Sequence, residues 1–180
     1  MNTTRSSPRR LIRWKNFRGN PRGWVALTIC TFFGSGLLPF APGTMGTLAA
    51  IPLVYFTAHW SIPCRLALWI SVTAAGTWAA KVFDEINQTE DNQNIVIDEV
   101  VGLGISAWTA GTYWPTIWAA VIAFRFFDIV KIPPVRQVDR WSHFQKKPWL
   151  QGFGVMADDV LAGIQALIVI GVLQWLQFLP

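Results

Sequence analysis

A dense patch of acids and bases, residues 125–159, lies between two stretches that carry no charge at all. Residues 100–124 and 160–180 contain no Asp, Glu, Lys or Arg. The patch between them holds Arg125, Asp128, Lys131, Arg136, Asp139, Arg140, Lys146, Lys147, Asp158 and Asp159. Residues 23–64 and 66–80 are also free of charge. About 20 apolar residues cross the hydrocarbon core of a bilayer, and residues 160–180 meet that length. Hydrophobic residues make up 52% of the 180-residue chain and charged residues only 14%, against about 25% charged in an average soluble protein. The pattern predicts an all-α chain: a polytopic integral membrane helical bundle with a short re-entrant or interfacial N-terminal segment.

Positive charge is concentrated at the start. Arg5, Arg9, Arg10, Arg13, Lys15, Arg18 and Arg22 lie within the first 22 residues, while the whole chain nets only +5. Residues 1–22 therefore read as a basic, flexible cytoplasmic arm under the positive-inside rule, and residues 23–180 as a single membrane-embedded catalytic domain. The arm has no compact apolar core or small-residue cleavage site of the kind a signal peptide carries. Cys30 and Cys64 make no disulfide framework.

Residues 23–33 are apolar but too short to cross a membrane, which makes them interfacial or re-entrant. Residues 34–46 (GSGLLPFAPGTMG) are crowded with Gly and Pro and read as an irregular loop. Free backbone N–H groups there, with Ser35, Gly36, Gly43 and Thr44, could hold phosphate oxygens at a helix start. Spanning helices are expected over 47–60 (extended back to 44), 66–83, 95–111 and 116–130, with the last from about 157 to 178. The polar stretch 84–94 is read as a loop. A turn at 111–115 splits the uncharged run 100–124 into two crossings. That split returns the chain to the side it left, so Asp98 and Glu99 share a face with the patch 125–159.

Six carboxylates then converge: Asp98, Glu99, Asp128, Asp139, Asp158 and Asp159. Charges in or beside a membrane are costly and mark function. Hard oxygen ligands without a His or Cys cluster point to Mg²⁺, which also binds substrate phosphate. Arg125, Asp128 and Lys131 fall at i, i+3 and i+6, one stripe of a helix. Three plainer accounts stand beside this one. The patch could be a solvated loop, Asp158 and Asp159 could cap a helix start, and the chain could be a small membrane cation or proton transporter.

The segments GSGLLPFAPGTMGTL (34–48), IVIDEVVG (95–102), FRFFDIVKIPPVRQVD (124–139) and GFGVMADDVLAG (152–163) closely resemble the phosphatidylglycerophosphatase A family. The resemblance implies a bacterial inner-membrane enzyme, multi-pass, with its site facing the cytoplasm. It implies Mg²⁺-dependent hydrolysis of phosphatidylglycerophosphate to phosphatidylglycerol and phosphate, and no nucleic-acid partner. Asp98, Glu99, Asp128, Asp158 and Asp159 would bind metal or activate water, with Asp139 in the same shell. Arg125 and Lys131 would hold phosphate oxygens, aided by the 34–44 loop. Ile132 and Gln151 depart from the family's usual Pro and Gly, and neither change removes a charge.

Overall fold

The computed structural model describes residues 11–89, 92–144 and 148–180. Residues 1–10 of the basic arm, Glu90, Asp91, Lys146 and Lys147 lie outside the described residues, as does the His143 side chain. All regular structure among the described residues is helical: α1 (Trp14–Phe17), α2 (Pro21–Cys30), a 3₁₀ turn (Ser35–Leu37), α3 (Pro42–Thr57), α4 (Ile62–Asn87), α5 (Ile97–Ser106), α6 (Trp114–Val130), α7 (Val135–His143) and α8 (Pro148–Trp175).

Proline sets most of the helix starts. Pro21, Pro42, Pro63 and Pro115 occupy the first turns of α2, α3, α4 and α6, where a missing N–H costs nothing. The Asn20 side chain caps α2 by accepting from the Gly23 N–H at 3.0 Å. The expected split of the uncharged run is present, since α5 ends at Ser106 and Gly111 turns the chain at φ +57° before α6 begins. α3 continues through Pro52 to Thr57.

The structure corrects three expectations. The arm expected to run to residue 22 stops being a tail well before that point. Phe17 of α1 is completely buried, with its ring 5.6 Å from that of Phe83. The Asn87 side chain accepts from the Arg13 N–H and donates to the Leu11 carbonyl, both at 2.7 Å, tying the segment to the end of α4. Secondly, α8 starts at Pro148 rather than near residue 157. Its early glycines are helical, and their missing side chains let neighbouring helices come close. A Cβ on Gly152 would lie 2.7 Å from the Thr77 carbonyl of α4, and one on Gly154 would strike Ser142 of α7. Thirdly, part of the polar stretch after α6 is the helix α7. Val135, Val138, Asp139 and Ser142 turn inward while Arg136, Gln137, Arg140 and Trp141 stay exposed. That i, i+3, i+4, i+7 spacing is the stripe of an amphipathic helix.

Helices α4 and α8 are long and apolar enough to cross a membrane. At 1.5 Å per residue, the 26 residues of α4 and the 28 of α8 extend about 39 and 42 Å. α3 and α6, at 16 and 17 residues, fall short of the ~20 needed. α8 is central, packing against α4, α5, α6 and α7.

The split between α5 and α6 makes a topological prediction. In a background where Cys30 and Cys64 are replaced by alanine, cysteines introduced at the exposed positions Gln88 and Arg140 should label with an impermeant maleimide from one side of the membrane only. Labelling of the two positions from opposite sides would contradict the split.

Candidate active site

Four segments bring their polar residues to one cavity of about 370 Å³. α5 supplies Asp98 and Glu99 from its first turn, where carboxylates complement the helix dipole. The Val96 N–H holds that turn in place by donating to the Cys30 carbonyl at the end of α2, at 2.8 Å. α6 supplies Arg125 and Asp128 one turn apart, and Lys131 at its C-cap. α7 supplies Asp139, and α8 supplies Asp158 and Asp159. The start of α3 closes one wall with Ala41, Pro42 and Gly43. Ala41 and Lys131 both adopt the left-handed conformation, at φ +41° and +50°. Non-glycine residues seldom do so, and such strain gathers at functional sites.

Charge in the cavity is far from balanced. Among the described residues, Asp84, Asp98, Glu99, Asp128, Asp139, Asp158 and Asp159 line it, against Arg125 and Lys131. Arg125 Nη1 lies 2.7 Å from Asp128 Oδ2 and 3.8 Å from Glu99 Oε1. Lys131 Nζ pairs with Asp139 Oδ1 and lies 2.9 Å from Asp158 Oδ2. Burial alone would weaken the Lys131 charge, but Asp158 and Asp139 more than offset it and raise its pKa above the ordinary lysine value. One cation therefore fastens α6 to both α7 and α8.

Asp98 and Asp159 form no ion pair among the described residues, and Glu99 shares Arg125 with Asp128 at the longer distance. Carboxylate oxygens of Asp98, Glu99 and Asp159 all lie within 4.8 Å of one another. Glu99 Oε2 is buried and has no hydrogen-bond partner. Like charges this close repel strongly in a low-dielectric site, and an unpartnered buried carboxylate oxygen is costly. A hard divalent cation resolves both problems, because it takes oxygen donors and neutralises their charge. The donor set thus fits a metal ion. Arg125 Nε is also buried and without a partner, a donor suited to an anionic oxygen.

Every predicted acid, namely Asp98, Glu99, Asp128, Asp139, Asp158 and Asp159, lines this cavity, as do Arg125, Lys131 and Gly43. Ser35, Gly36 and Thr44 do not. The Ser35 and Gly36 N–H groups donate to the Phe32 and Thr31 carbonyls at 3.3 and 3.0 Å, and Ser35 Oγ donates to the Thr31 carbonyl at 3.0 Å. Their donors hold a turn together, so no cradle forms at that end of the loop. Asp158 and Asp159 lie about three turns inside α8, which removes the capping account. Asp84, Asn92, Gln93, Ser142 and Gln151 also line the cavity and were not foreseen. Asp84 stood with the polar loop in the sequence, yet it is the last-turn residue of α4 and faces inward.

Comparison with known proteins decides the class. Residues 28–174 match the phosphatidylglycerophosphatase A family. The chain belongs to the phosphatidylglycerophosphatase A family. It is therefore a phosphatase. A relative from Escherichia coli named phosphatidylglycerophosphatase A is 35% identical over 138 residues, covering 73% of this chain and 73% of that one. A Haemophilus influenzae protein of the same name is 37% identical over 145 residues, covering 79% and 85%. A protein of Bacteroides thetaiotaomicron, provisionally named a phosphatidylinositol-3-phosphatase, is 37% identical over 162 residues, covering 84% and 95%. No solved structure matches the chain.

Within this family site, Gly43 is the residue that sets how close α3 can come. A Cβ there would collide with Glu99 Oε1 and lie 3.3 Å from Arg125 Nη1. Gly43→Ala should therefore cut turnover by about 10²-fold, as displacements of order 1 Å do, while leaving the protein folded. Gly171→Ala, whose Cβ would meet nothing within 4 Å, should leave turnover unchanged. Phosphate release by the two purified variants checks this, and normal activity in Gly43→Ala would refute it.

Proposed function

We propose that this protein is an inner-membrane phosphatidylglycerophosphatase. It would remove the terminal phosphate of phosphatidylglycerophosphate in a Mg²⁺-dependent hydrolysis, with its cavity facing the cytoplasm. One observation carries the reading. The partnerless Glu99 Oε2 sits among three convergent carboxylates, beside an Arg125 whose Nε is also partnerless, within the segment shared with the family. A cation site and an anion site side by side suit a phosphomonoester. Two of the three relatives carry this substrate in their names.

The residues divide the work. Asp98, Glu99 and Asp159 would hold the metal, with Asp128 and Asp158 completing its surroundings. Bound there, the ion would neutralise phosphate charge and make a coordinated water more acidic. Arg125 would grip a phosphate oxygen with Nε. Lys131 would keep Asp139 and Asp158 in place and share their charge with the incoming dianion. Gly43 N–H, at the start of α3, would offer a further donor to that anion. Water attacks phosphorus, the P–O bond to the glycerol carbon chain breaks, and the departing alkoxide takes up a proton. The absence of a second acid two residues from any of these aspartates favours direct attack by water over an aspartyl-phosphate.

The acids alone also suited a cation or proton transporter, and that account has no support from the family. The competing reading that remains is another phosphorylated lipid, since the Bacteroides relative is named for phosphatidylinositol 3-phosphate. Phosphate release from the two lipids in matched detergent micelles separates them. We expect turnover of phosphatidylglycerophosphate to exceed that of phosphatidylinositol 3-phosphate, to vanish after metal stripping with EDTA and to return with Mg²⁺. Preference for the inositol lipid would overturn the substrate assignment, and undiminished turnover of stripped protein would overturn the metal.

A further inference from the structure

A second concavity, about 720 Å³, lies on the flank of α8 opposite the acidic cavity. Its walls come from α4, α5 and α8, and nearly all of them are apolar. Trp69, Ile70, Trp108, Phe153 and Ile164 are among the lining side chains. On α4 the groove runs from Leu66 to Thr77, about 16 Å at 1.5 Å per residue. That is about half of a ~30 Å hydrocarbon core, the depth that one leaflet's acyl chains fill.

The residue just before this wall is Arg65. It lies 19 positions before Asp84 on α4, or about 28 Å from the acidic cavity along the helix. Arg65 is 9% exposed, stacks on the Trp108 ring at 4.2 Å and donates from Nη2 to the Trp108 carbonyl at 2.8 Å. It forms no ion pair among the described residues, and its Nε has no partner. One turn further, Trp69 is 5% exposed, lines the groove and has a partnerless indole Nε1. A buried guanidinium with no counter-charge is expensive. Binding the Trp108 carbonyl at the end of α5 satisfies one of its donors and leaves the charge uncompensated.

We propose that this groove binds an anionic phospholipid, with an acyl chain against Trp69, Ile70 and Phe153 and the phosphate at Arg65. The lipid would supply the missing negative charge and cover apolar side chains that the protein leaves open. The site is separate from the catalytic cavity and does not depend on which lipid is the substrate. Its ligand need only combine a long acyl chain with a negatively charged head.

Full-length protein, stripped of lipid in detergent, provides the test. Dioleoylphosphatidylserine is a suitable probe because its phosphodiester offers no terminal phosphate to the catalytic cavity. Dioleoylphosphatidylcholine is the zwitterionic control. Lipid retained after gel filtration and the thermal midpoint are read together. We expect saturable retention of the serine lipid, a raised midpoint, and a weaker effect from the choline lipid. Arg65→Gln should weaken retention about tenfold, the size of a lost hydrogen bond to a charged group, with Arg65→Lys between. Ala74→Trp fills the groove from its open α4 wall, keeps Arg65 intact, and should abolish retention of both lipids. Arg125→Gln, in the other cavity, should leave retention of the serine lipid unchanged. Equal response to the two lipids, or unchanged retention in Ala74→Trp, would overturn the proposal. So would a change of oligomeric state in Ala74→Trp, which would make a second copy the occupant.

Discussion

Uncompensated negative charge inside a helical bundle is the constraint on which the rest of this structure depends. Among the described residues, seven carboxylates share a cavity with two cations, beside long stretches of chain that carry no charge. Arg125 holds Asp128, and Lys131 bridges α7 to α8 through Asp139 and Asp158. Those pairs account for the acids at the rim. Asp98, Glu99 and Asp159 form the inner group, close together and, among the described residues, with no cation but the Arg125 that Glu99 shares with Asp128. A bundle built this way is at odds with itself unless something positive completes it, because partly satisfied buried polar networks are worse than apolar ones. The same unmet demand makes the three inner acids a group that could hold a metal ion.

Close backbone approach is what brings these charges together. Gly152 and Gly154 let α8 lie against α4 and α7, and this packing fixes where Asp158 and Asp159 point. Gly43 lets the start of α3 reach Glu99. Small residues at helix contacts are favoured where no hydrophobic force separates protein from lipid, and here they serve a second purpose. They hold the acid-bearing turns near enough for carboxylates from α5 and α8 to share one space. The left-handed residues Ala41 and Lys131 complete the enclosure by turning the chain sharply at its edge.

Much of the site was legible before the structure, because charge is so rare in this chain that each acid stands out. All six acids and both cations expected of the site line the cavity. The turn near residue 111 was legible from the sidedness it gives to Asp98 and Glu99. What escaped notice did so for physical reasons. The glycines at 152 and 154 signal a loop locally, yet they lie inside α8, where only a residue without a side chain fits against α4 and α7. Residues 135–143 look like a polar connection unless Val135, Val138 and Ser142 are read as one stripe. Phe17 sits within a basic stretch, and nothing local says that its ring will be buried against Phe83. The turn at Ser35 and Gly36 looked like an anion cradle from its composition. Its amides are instead consumed by the Thr31 and Phe32 carbonyls, which only tertiary structure reveals.

The central claim is that the inner carboxylates form a divalent-cation site, and metal binding tests it without any assay of turnover. Mn²⁺ is paramagnetic and a fair stand-in for Mg²⁺ at oxygen sites. Titration into stripped, purified protein can be followed by the loss of the free-ion resonance. The account predicts saturable binding that Mg²⁺ competes away, that Asp98→Asn and Asp159→Asn each abolish, and that Glu85→Gln leaves intact, since Glu85 is exposed and pairs with Lys81 outside the cavity. Binding that survives both Asp98→Asn and Asp159→Asn, or no saturable binding to the wild-type protein, would contradict it.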